Sequence, residues 1–92
     1  MRGKIVFITG ASSGIGEGCA RKFASQGSDV ILNARNVAKL EELKKELEKA
    51  YDIRVFLLPF DVRDRKAAVD ALASLPENWK AIDVLVNNAG VV

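Results

Sequence analysis

Lys4-Ile5-Val6-Phe7-Ile8-Thr9-Gly10-Ala11-Ser12-Ser13-Gly14-Ile15-Gly16 is the stretch on which the fold turns. Residues 4–8 form a compact apolar run without polar alternation, which reads as a strand buried on both faces, as in parallel sheets. Thr9 and Gly10 open a loop of small residues. From Gly14 onward the apolar positions Ile15, Cys19, Ala20, Phe23 and Ala24 recur at helical spacing, and Gly27 is placed as the stop. The segment is therefore strand, glycine-rich turn, helix.

The same alternation continues outward. Residues 29–33 carry the apolar run Val30-Ile31-Leu32. Val37, Leu40, Leu43, Leu47 and Ala50 mark an amphipathic helix with a Glu/Lys outer face, capped by Asn36. A third run, Val55-Phe56-Leu57-Leu58, ends at Pro59, which has no N–H for a ladder. Ala68, Val69, Leu72 and Leu75 form a third stripe, starting near Asp64 and ending before Pro76. Val84-Leu85-Val86 closes the series and leads into Asn87-Asn88-Ala89-Gly90. The pattern β-α-β-α-β-α-β predicts an α/β fold, a parallel sheet wound by right-handed crossovers. No repeat, linker or low-complexity stretch divides it, so residues 1–92 read as a single domain.

Composition narrows the class. The chain has 92 residues, 49% hydrophobic and 28% charged, as in an ordinary soluble domain that buries about 60–65% of its unfolded surface. A net charge of +2, with lysines interleaved among glutamates, argues against a nucleic-acid partner. The first apolar run is too short for a signal-peptide core or a membrane span. Cys19 is the single cysteine and there is no histidine, which excludes an internal disulfide and a Cys/His zinc site. The expected setting is cytoplasmic, metal-free and off the membrane.

The glycine-rich turn carries the chemistry. Between a strand and a helix N-terminus, exposed N–H groups and the positive end of the helix dipole favour an anion. Glycine lets phosphates approach the backbone, and Ser12 and Ser13 add hydroxyls at the mouth of the turn. The alternative is a tight connection without a ligand, for which three glycines are more than needed. Their spacing, Gly10, Gly14 and Gly16, is G-x3-G-x-G; no Gly-Lys-Ser/Thr follows, so it is not a P-loop.

Thr9-Gly10-x3-Gly14-x-Gly16, Asp61-Val62 after the third strand and Asn87-Asn88-Ala89-Gly90 after the fourth together resemble the short-chain dehydrogenase/reductase fingerprint, over essentially the whole chain. The resemblance implies a Rossmann-type sheet of strand order 3-2-1-4 and an oxidoreductase that binds a dinucleotide. It implies that Gly10, Gly14 and Gly16 wrap the pyrophosphate, with Ile15 as an adjoining backbone donor. It assigns Asp61 to the adenine, with Val62 packed beside it, and Asn88, Ala89 and Gly90 to the adenosine ribose. Asn87 is implied to hold the central strands together. A helix-capping role is the competing reading of Asp61, although Asp64 can fill it. The run Leu75-Pro76-Glu77-Asn78-Trp79 also resembles members that oxidise 3-hydroxy acids such as serine; the plainer reading is that Trp79 packs the third helix against the sheet.

The end of the second strand addresses cofactor choice. Rossmann enzymes that prefer NAD place an acid there for the ribose 2′-hydroxyl. This chain has Ala34 followed by Arg35, which suits a 2′-phosphate, with Ser13 or Asn36 as neutral contacts. NADP is therefore expected over NAD, against the reading of Arg35 as a solvated surface charge. A methyltransferase-type domain is disfavoured because no acid stands at Asn33, Ala34 or Arg35.

The family's catalysis uses a Ser, a Tyr and a Lys, the last two as Tyr-x3-Lys, to act on an alcohol or carbonyl substrate. Tyr51 is the single tyrosine here and Val55 stands four residues later, so no catalytic residue is assigned. The chain alone is expected to bind and not to turn over. Three readings stay open: part of a longer enzyme, an isolated half, or a free-standing nucleotide-binding module. An isolated half would self-associate as a homo-oligomer through its edge strand or its under-covered face.

Overall fold

A computed structural model describes residues 2–88. The apolar runs become four parallel strands, β1 (Ile5–Thr9), β2 (Asp29–Leu32), β3 (Val55–Leu57) and β4 (Val84–Asn87). Between them lie α1 (Gly14–Ser25), α2 (Val37–Ala50) and α3 (Arg65–Ala73), followed by a short 3-10 turn, Glu77–Trp79. The sheet order is β3-β2-β1-β4, as the resemblance implies. The register pairs Phe7 with Ile31 and with Leu85, and Ile31 with Phe56, so the apolar runs lie level across the sheet.

β1 is buried at every position, because it is central and covered on both faces. Side chains alternate across the pleat. Val6, Ile8, Val30, Leu32 and Val55 face α1 and α2 and pack with Ala20, Ala24, Leu40, Leu43 and Leu47. Ile5, Phe7 and Ile31 point the other way, to Leu58, Leu75 and Trp79. Each fully buried aliphatic side chain stabilises by about 1.5–3 kcal/mol, and Ile8, Ile31, Leu32, Leu40 and Leu47 are all of this kind.

The helix signals are realised as read. Asn36 Oδ1 accepts from the Lys39 N–H, and Asp64 Oδ1 from the Ala67 N–H, each at the N-cap. Gly27 follows α1 with a φ of +87°, the left-handed position that glycine favours.

The third stripe behaves differently from its spacing. α3 buries no residue; Val69 is 60% exposed and Leu72 38%. The second face is covered mainly by the segment after α3. Leu75 and Trp79 are buried there, with the Trp79 ring 5.6 Å from Phe56 and under the Arg54 guanidinium at 4.9 Å. Arg54 also binds Asp29 Oδ2 through Nε and Nη2, tying the start of β2 to β3. Trp79 is thus a packing residue, as its plainer reading expects.

Candidate functional site

The loops at the C-terminal ends of β1, β2 and β3 enclose a cleft of about 370 Å³, lined by Gly10, Ser12, Asn33, Ala34, Arg35, Phe60, Asp61, Val62 and Arg63. The outer end of a parallel sheet is where this architecture opens a crevice.

The three glycines of the turn have three different reasons to be glycine. Gly10 has a φ of +62°, which turns the chain out of β1. Gly16 lies under the turn: a Cβ there would meet Gly10 O at 2.1 Å. Gly14 faces open space, with nothing within 4 Å of a built Cβ. Only the last leaves room for a ligand in the way the spacing suggests for all three; the other two shape the turn itself.

Hydrogen bonding sorts the turn's N–H groups. Ala11 N–H donates to Asn33 O, Ser13 N–H to Gly10 O, Gly16 N–H to Ser13 Oγ and Glu17 N–H to Ser13 O. Ser13 is the N-cap of α1, and its hydroxyl donates back to Gly10 O at 2.9 Å. Among the described residues the N–H groups of Ser12, Gly14 and Ile15 have no acceptor. Three free donors beside an open glycine at the positive end of α1 fit an anionic group. The Ile15 side chain is 75% exposed at the same mouth.

Asn33 is the floor of the cleft, and its role is not legible from the motif set. It is 1% exposed. Its N–H donates to Ile8 O and its carbonyl accepts from Ala11 N–H. Its Nδ2 donates to Leu58 O at 3.0 Å and to Phe60 O at 3.1 Å. One residue at the end of β2 thus joins β1 through its backbone and the loop after β3 through its side chain. The available signal was a polar residue closing an apolar run.

Ala34 is buried and Arg35 projects from the rim with its side chain 70% exposed. Asn36 stands next to it as the α2 cap, its Oδ1 already engaged with Lys39 N–H. Asp61 lies across the cleft, and Asp64, not Asp61, caps α3. The Arg63 guanidinium and the Arg63 backbone N–H, both hydrogen-bonded to Asp61, hold its carboxyl down at about 2, with Arg35 adding a weaker pull. Asp61 is therefore an anion at neutral pH, able to accept a hydrogen bond. Arg63 was not among the residues picked out by motif.

At the end of β4, Thr9 Oγ1 donates to Asn87 Oδ1 at 2.9 Å and accepts from Asn88 N–H at 3.1 Å. These bonds tie β1 to β4 beside the turn. Among the described residues Asn88 Nδ2 is buried without an acceptor, a further donor left over near the turn. Ala89 and Gly90 lie outside the described residues.

The family model for short chain dehydrogenase matches residues 4–92. The chain belongs to the short-chain dehydrogenase family. A probable NADP-dependent dehydrogenase of Dichelobacter nodosus is 51% identical over 87 residues, covering 95% of this chain and 78% of that protein. The NADP-dependent 3-hydroxy acid dehydrogenase of Escherichia coli is 46% identical over 95% of this chain and 34% of its own length. Among solved structures, L-sorbose reductase of Gluconobacter frateurii, complexed with NADPH and L-sorbose, superposes with a TM-score of 0.90 at 36% identity. It is matched over 99% of this chain and 35% of its own. Serine dehydrogenase of Escherichia coli gives 0.84 at 45% identity, over 96% of this chain and 39% of its own. The short-chain dehydrogenase sequence here thus spans about a third of most of these relatives. No helix among the described residues is long and apolar enough to cross a membrane.

Proposed function

We propose that residues 1–92 are the NADP(H)-binding portion of a short-chain oxidoreductase that moves a hydride between a nicotinamide and an alcohol or carbonyl substrate. The observation that carries this is the pairing of a buried, neutral Ala34 with an exposed Arg35 at the rim of a cleft whose opposite wall is Asp61. The N–H groups of Ser12, Gly14 and Ile15 bind the pyrophosphate. Arg35 binds the 2′-phosphate through charge-assisted bonds, with Asn36 beside it and Ser13 holding the turn. Asp61 accepts from the adenine amino group and Val62 packs against the ring, while Asn88, Ala89 and Gly90 border the ribose. When bound, the cofactor supplies or accepts the hydride. The 3-hydroxy acid and serine dehydrogenases among the relatives support a hydroxy-acid substrate for the whole enzyme. The chain's one tyrosine, Tyr51, caps the end of α2 and has Val55, not a lysine, four residues on, so the proton-transfer residues are proposed to lie outside residues 1–92.

A second reading, self-association of the chain into a homo-oligomer, is favoured by Leu85, which is 63% exposed on the edge strand β4. Calorimetric titration of the chain with NADPH and NADH, at a mass fixed by light scattering, tests both. The expected result is an NADPH preference of at least about tenfold, lost in Arg35→Ala, the size of a hydrogen bond to a charged group. Equal affinities for the two nucleotides would remove the NADP assignment, and a mass near that of one chain would remove the self-association.

A further inference from the structure

Asp61 is held by two guanidinium groups, and unequally. Arg63 takes three of its acceptor positions: its backbone N–H and Nε donate to Oδ1 at 2.9 and 3.1 Å, and its Nη2 to Oδ2 at 3.0 Å. Arg35 Nη1 stands 3.7 Å from Oδ2, outside hydrogen-bond distance. A carboxylate has about four lone-pair positions, so about one remains on Oδ2, facing Arg35.

We propose that Arg63 is a positioning residue for nucleotide selectivity: by taking three of Asp61's acceptor positions and offsetting its charge, it weakens that carboxylate's pull on Arg35 and leaves Arg35 available to a 2′-phosphate. The proposal rests on the NADP(H) reading above. Without Arg63, Asp61 becomes an anion whose nearest cation is Arg35. A movement of about 1 Å then makes a direct ion pair at ordinary charge-assisted distance. A 2′-phosphate would have to displace Asp61 from Arg35 before binding it. NADH carries no such phosphate and would not meet this competition, so the penalty falls on NADPH. The Arg63 side chain is 60% exposed, so its removal leaves the core intact.

The test uses Arg63→Ala, Arg35→Ala and the double variant of the whole chain, with two readouts. The first is the ratio of NADH to NADPH dissociation constants. It is expected to fall roughly fivefold in Arg63→Ala, the strength of one exposed ion pair. The second is the Asp61 carboxyl titration, followed by NMR without nucleotide. In the parent chain Arg35→Ala should barely move it; in the Arg63→Ala background the same change should raise it clearly, because Arg35 has become the partner. Simple loss of one positive charge from the cleft would lower NADPH affinity without making the two arginines non-additive on Asp61. A wild-type preference that Arg35→Ala abolishes and Arg63→Ala leaves unchanged overturns the proposal and keeps the cofactor reading. A ratio that Arg35→Ala does not change overturns both.

Discussion

Gly16, in the first turn of α1, sits directly beneath the carbonyl of Gly10, so that a Cβ on Gly16 would be 2.1 Å from the Gly10 oxygen and 2.9 Å from Ala11 Cα. Both obstacles are backbone, and neither can rotate aside. The strand-to-helix turn can be this tight only because residue 16 has no side chain.

Gly16→Ala should therefore open the turn and cost about 3 kcal/mol, the upper range for overpacking. For a domain of this size that corresponds to a fall in Tm on the order of 15 °C. Gly14→Ala is the contrasting change, since its Cβ meets nothing within 4 Å. It should leave Tm unchanged or slightly raised, by alanine's better helix propensity, while weakening NADPH binding. Thermal melts and calorimetry on the two variants separate the roles. An undiminished NADPH affinity in Gly14→Ala would show that no phosphate lies against that residue.

Asn33→Ala should loosen the cleft floor. The change leaves the Leu58 and Phe60 carbonyls without the Nδ2 donor they now share. Depriving buried acceptors of their donor costs about 1–3 kcal/mol. Because both bonds reach into the loop after β3, amide exchange should accelerate chiefly over residues 58–64. Uniform acceleration across the sheet would mean that Asn33 supports the fold generally rather than this loop.

Asp61 should make acid stability depend on one surface cluster. Its folded pKa is lowered from 3.8 to about 2, first by the side-chain hydrogen bond from Arg63. A lowered folded pKa adds stability above the unfolded value, and that increment is lost as pH falls through the folded one. The window is thus from about pH 4 down to about pH 2. Asp61→Asn should melt with a shallower pH dependence than the wild type across this window and with the same slope above it. Identical slopes throughout would mean that Arg63 and Asp61 are not paired in solution.

Much of the fold was legible because its signals are local. The apolar runs, the caps Asn36 and Asp64, and the glycine stop at residue 27 were each realised within a residue or two of their expected places. The α3 stripe was the exception. Spacing makes Val69, Leu72 and Leu75 share a side, but only Leu75, just past the end of α3, is buried against that sheet face, together with Trp79, while Val69 and Leu72 are exposed. Helical periodicity says which residues share a side; it does not say whether that side lies against anything. The site divided in the same way. Gly10 and Ser12, read from the glycine turn, Arg35, read from the end of the second strand, and Asp61 and Val62, implied by the family resemblance, all line one cleft. Asn33 and Arg63 were not singled out, since neither belongs to a recognised spacing.

By itself, the sequence determined the order of elements, the parallel sheet and the position of the glycine-rich turn, because period, caps and glycine placement act over a few residues of chain. The tertiary structure alone decided which glycine is open to a ligand, which residue forms the floor of the cleft, and which arginine holds Asp61. Those depend on contacts that only folding creates. Asn33 meets carbonyls 25 and 27 positions away, and Arg35 approaches a carboxylate on a different loop. Distances of that kind are set by the packing of two helices and three strand ends against one another, not by any short run of residues.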